Sequence, residues 1–94
     1  MLDKVKLALR VKTTAFDSEL EDLVAAALAD LGLAGVIADN TSDPLIIRAV
    51  ITYCKLHFGE PTDPDRIKAA YNEQKAQLQT ATGYTDWGDN DGQV

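Results

Sequence analysis

The sequence predicts an all-α protein, a compact bundle of about four helices followed by an extended, flexible C-terminal tail. Three observations predict it. Apolar residues recur three and four positions apart over most of the first 80 residues, the period of a helix with one face turned inward. Two Asp-Pro steps, Asp43-Pro44 and Asp63-Pro64, give the cap-then-proline signal that opens a helix. Turn-forming and glycine-bearing stretches punctuate the periodic segments, and the last 14 residues change character altogether.

The first helix spans about 2–11, where Leu2, Val5 and Leu9 recur between Lys4, Lys6 and Arg10. Thr13-Thr14 interrupts it. Asp17 or Ser18 then offers a side-chain oxygen as N-cap, Phe16 can staple back onto Leu20 or a neighbour, and Glu19, Glu21 and Asp22 suit the positive end of the helix dipole. The second helix, about 17–32, sets Leu20, Leu23, Val24, Ala27, Leu28 and Leu31 on one stripe. Gly32 is its expected stop and Gly35 a second break, because glycine takes the left-handed conformation without steric cost.

Residues 36–43 form a connector that ends in turn chemistry. The third helix, about 44–58, is apolar nearly all round, interrupted only by Arg48, Thr52, Lys55 and His57. Such a helix is either packed by several neighbours or also meets another subunit. Ile47, Ile51 and Phe58 are the candidates for that subunit interface. Gly59-Glu60-Pro61 ends it. The fourth helix, about 64–80, has a narrower stripe of Ile67, Ala70, Tyr71, Gln74 and Leu78 opposite Lys68, Asn72, Lys75 and Gln79. This divides the chain into a helical domain, 1–80, and a tail, 81–94, in which three glycines and three aspartates surround Tyr84 and Trp87. Aromatics in such a setting are either packed on their own domain or held for a partner.

Composition bounds the function. A chain of 94 residues makes one domain, too small for a deep cleft between two lobes. No apolar run approaches the ~20 residues a membrane span needs, and the N-terminus lacks the pattern of a secretory signal, so a cytoplasmic setting is expected. The single cysteine excludes an internal disulfide. Fifteen acidic against nine basic residues give a net charge of −6, which argues against a phosphate-gripping surface.

Reactive constellations are sparse. Cys54 and His57, three positions apart, could form a thiol–imidazole pair, but no glycine-rich turn supplies oxyanion donors. One Cys and one His fall short of a zinc set. Asp86, Asp89 and Asp91 lack the spacing and the bidentate Glu of a calcium loop. No phosphate-loop, dinucleotide or nucleophile-elbow motif occurs. The expectation is therefore a non-enzymatic docking protein with no catalytic residues, cofactor or metal. The alternatives are a small helical nucleic-acid-binding regulator using Lys4, Lys6, Arg10 and Lys12, and a small thiol enzyme.

Four stretches give the sequence a family likeness: Val5-Lys6-Leu7-Ala8-Leu9-Arg10-Val11; the acidic and then alanine-rich run from Asp17 to Leu31; Asp43-Pro44-Leu45-Ile46-Ile47-Arg48-Ala49-Val50-Ile51-Thr52-Tyr53; and the segment 71–78 followed by Thr82-Gly83-Tyr84-Thr85-Asp86-Trp87. In order and spacing they resemble the head–tail connector proteins, also called adaptor or DNA-packaging proteins, of tailed phages and prophages. The resemblance implies a structural virion protein that assembles as a ring, commonly of about twelve subunits. That ring lies beneath the portal, extends the DNA channel and seats the next head-completion (stopper) or tail protein. Double-stranded DNA passes through it without sequence-specific binding. The resemblance places the protein at the capsid–tail junction of the virion, and in the host bacterial cytoplasm before assembly. It assigns portal docking to the C-terminal segment, here Tyr84, Asp86 and Trp87.

Overall fold

The computed structural model describes residues 1–33, 35 and 43–80. They form four helices, α1 (Leu2–Leu9), α2 (Asp17–Leu33), α3 (Pro44–His57) and α4 (Pro64–Thr80), with no strand among the described residues. The connector 36–42 and the expected tail, 81–94, lie outside the described residues, as do Tyr84, Asp86 and Trp87.

The two Asp-Pro signals behave as read. The Asp43 side chain accepts from the Leu45 N–H at 2.8 Å, and Pro44 stands in the first turn where it forfeits no hydrogen bond. Asp63 accepts from the Arg66 N–H at 3.3 Å. Three helix ends differ from the sequence reading. α1 stops at Leu9, two residues early, because Arg10 turns left-handed (φ 60°) and Val11 N–H closes back on the Lys6 carbonyl at 2.9 Å. That wrap is usually made by glycine, so an arginine there gives no warning. α2 continues through Gly32 to Leu33, and the left-handed glycine is Gly35 (φ 87°), whose N–H reaches the Gly32 carbonyl. α3 ends at His57, with Phe58 already extended and Gly59 at φ 67°.

The start of α2 is also built differently. Asp17 does not cap; its carboxylate pairs with Lys6 of α1 at 2.7 Å and ties the two helices. The preceding turn is held instead by Thr13, whose hydroxyl accepts from the Ala15 N–H, and by the Thr14 carbonyl, which accepts from the Asp17 N–H. Phe16 meets the Phe58 ring edge-on, with centroids 5.4 Å apart. It is a contact between the two helix-terminal turns.

α3 packs against each of the other three helices. This explains its apolar breadth: Ile46, Ile47, Ala49, Val50 and Cys54 are all buried. Around it the core collects Val5 from α1, Leu20, Ala27 and Leu31 from α2, and Tyr71 and Leu78 from α4. Most of the surplus noted in the sequence is therefore spent inside the bundle itself.

Candidate docking surfaces

Where α2, α3 and α4 converge, the joint is polar. Tyr71 of α4 donates its hydroxyl to the Asp30 carboxylate of α2 at 2.6 Å, and the Lys75 ammonium reaches the same oxygen at 3.1 Å. Lys75 also lies 5.2 Å from the Tyr71 ring centroid. Tyr53 of α3 meets Tyr71 edge-on at 5.3 Å, and the His57 ring lies 4.3 Å from Tyr53. The Tyr71 hydrogen bond holds the Asp30 carboxyl below its ordinary range; Lys75 adds to this, against the opposing pull of burial. Burial, and donation to Asp30, push the Tyr71 phenol upward. The cluster ties α4 to α2 and α3, and its Asp30 and Lys75 side chains stay partly open to solvent.

Two grooves flank α4 where it lies along α3. One is lined by Leu45, Arg48, Ala70, Glu73, Gln74 and Leu78, between the start of α3 and the end of α4. The other runs along α3 toward α1. Its floor is Pro44, Ile47, Ile51 and Thr52, and Lys4, Arg48 and Lys55 stand around it. Gln74 reaches both grooves, and its amide oxygen is covered with no donor among the described residues.

The three candidates from α3 thus have different places. Ile47 is buried, at 9% exposure, beneath the second groove, Ile51 is half-buried in the same floor, and Phe58 is half-buried against Phe16. The apolar residues most open to solvent are others: Leu7 at 81%, Leu33 at 90% and Leu45 at 53%. Leu7 lies off the Leu2–Val5–Leu9 stripe, and that was its one sequence signal. Leu33 was hidden by the expectation that Gly32 ends the helix.

The reactive readings separate cleanly. Cys54 is fully buried, and burial pushes its thiol up to about 11, so it offers no thiolate near neutral pH. His57 is exposed, its ring tilted 45° against that of Tyr53. The thiol-enzyme reading, which needs both groups at solvent, is overturned. Among the described residues no group of His, Cys, Asp or Glu could hold a metal, and no helix is long and apolar enough to cross a membrane. Of the four basic residues near the N-terminus, Lys6 is committed to Asp17.

Fold and surface together define a small all-α protein whose features are grooves and helix faces, with its lone thiol sealed in the core. A protein-family profile described as phage connector protein matches residues 1–85, and the chain belongs to that family, a structural rather than an enzymatic one. The match takes in Tyr84 and ends just before Asp86 and Trp87. No curated protein and no solved structure matched the chain.

Proposed function

We propose that the chain is a non-enzymatic head–tail connector subunit. In this reading it assembles into a ring under the portal, extends the DNA channel and seats a head-completion or tail protein. The observation that carries the reading is the family match over residues 1–85, which spans all four helices.

Physical features support it. A ring subunit needs surface for neighbours beyond its own core, and the two grooves together with Leu7, Leu33 and Leu45 supply apolar area for that. Tyr84, Asp86 and Trp87 are the proposed portal contacts, aromatic anchors that bury large area at small entropic cost. The net charge of −6 suits a conduit that must release its cargo, since acidic walls repel DNA over about 8–10 Å at physiological salt. The site of action is the capsid–tail junction, reached from the host cytoplasm. The nucleic-acid regulator is less well supported, because the pairing of Lys6 with Asp17 breaks up its basic face.

The test is reconstitution. Purified protein mixed with its portal should co-migrate as a larger species, and removing residues 81–94 should abolish both co-migration and head–tail joining. Absence of co-migration, with joining unaffected by the truncation, would reject the reading.

A further inference from the structure

The groove along α3 is unusual for so acidic a chain. Lys4, Arg48 and Lys55 stand around it, and no carboxylate is among its lining residues. All three are exposed, and the ion pairs among the described residues involve Lys6 and Lys75 instead. Three cations with no ion pair among the described residues, set around two isoleucines, make a site for a segment that is both acidic and aromatic.

The chain carries such a segment. Residues 81–94 hold Asp86, Asp89 and Asp91 with Tyr84 and Trp87, and contain no Lys or Arg. α4 runs antiparallel to α3: Tyr71 lies beside Tyr53, and Leu78 shares a groove with Leu45. The chain therefore leaves Thr80 at the Pro44 end of α3, where the basic groove begins. The seven residues from Thr80 to Trp87 reach up to about 23–25 Å when extended. The groove from Pro44 to Lys55 is about 16–17 Å long at the helical rise of 1.5 Å per residue. Tethering so close by raises the local concentration of the segment to the order of millimolar, enough to occupy a modest site.

We propose that the groove lined by Lys4, Ile47, Arg48, Ile51 and Lys55 receives the chain's own segment 84–91 in the isolated subunit. Trp87 covers Ile47 and Ile51, and the aspartates face the three cations. The incoming segment also brings N–H donors to the rim where the Gln74 amide oxygen lacks one. The proposal does not depend on the connector reading; the same segment can leave the groove for another partner.

Trp87 is the only tryptophan, so intrinsic fluorescence of the full-length protein reports on this segment alone. Acrylamide quenching should show Trp87 shielded, to the same degree across a dilution series. Arg48→Glu with Lys55→Glu should raise the quenching constant about two- to threefold, and high salt should raise it part of the way. Asp86→Lys with Asp89→Lys, outside the four helices, should expose Trp87 equally without touching the fold, and combining the two pairs should restore shielding. Three results would each overturn the proposal. Trp87 could be as open in the native protein as in urea; the tail variant could leave quenching unchanged; or the shielding could disappear on dilution, which would put the segment in the groove of a second copy. Reconstitution with portal reads out separately, so the two ideas can fail independently.

Discussion

α3 and α4 lie side by side and are held by opposite means. α3 buries five of its 14 residues, all apolar or thiol, against three other helices. α4 buries two of 17, Tyr71 and Leu78, and one of those ends in a hydroxyl bonded to a carboxylate. The central helix is fixed by the removal of apolar area from water, which is non-directional. The peripheral helix buries less apolar area, and a directional polar contact adds to its hold. In so small a bundle one helix holds the core, and the others can keep polar faces for outside contacts.

Mutations can break that contrast. The largest effect is expected where α2 meets α3: Leu20→Ala or Ile46→Ala should each cost about 2–4 kcal/mol, read as a lower urea midpoint, because both side chains are fully buried and leave a cavity. Tyr71→Phe keeps the ring and removes only the donor to Asp30. It should cost about 1 kcal/mol, since Asp30 is partly open to solvent and keeps Lys75. A loss as large as that of Leu20→Ala would mean the polar joint is not secondary to the core. Lys75→Met should cost about 0.5 kcal/mol or less, a partly screened pair.

pH sharpens the same comparison. Asp30 is held below the ordinary carboxylate value of 3.8 in the folded state, so its contribution is fully present above that value. It is lost as pH falls through the lower folded pKa. Thermal melts of Asp30→Asn and the parent protein should therefore stand furthest apart above about pH 4 and draw together only as the pH falls below it through the folded pKa. Cys54 probes the apolar side. With its thiol buried and pushed up to about 11, it should resist iodoacetamide at pH 8 in the native protein and react readily in urea.

Much of this architecture was legible in the sequence, for physical reasons that can be named. Periodicity located all four helices because each buries a single stripe or, in α3, most of its faces. The Asp-Pro steps marked the starts of α3 and α4 to the residue because cap and proline act locally. The misread ends, Arg10 and Gly32, are places where the chain departs from residue preference: an arginine takes the left-handed turn and a glycine stays helical. Asp17 looked like a cap because capping is a local rule, yet a cation 11 positions earlier claimed its carboxylate. The candidate surfaces were less legible for the same reason. The Asp30–Tyr71–Lys75 joint and the ring of Lys4, Arg48 and Lys55 gather residues far apart in the chain, which no spacing rule connects.

The packing of α3 against every other helix also sets an order of opening. α4 rests on α3 and on one carboxylate of α2, and it buries fewer of its residues than α3 does, so it is expected to open before α3. Backbone amides of α4 should then exchange with deuterium through a partial opening, sooner than those around Ala49 and Val50, which wait for the whole molecule to come apart.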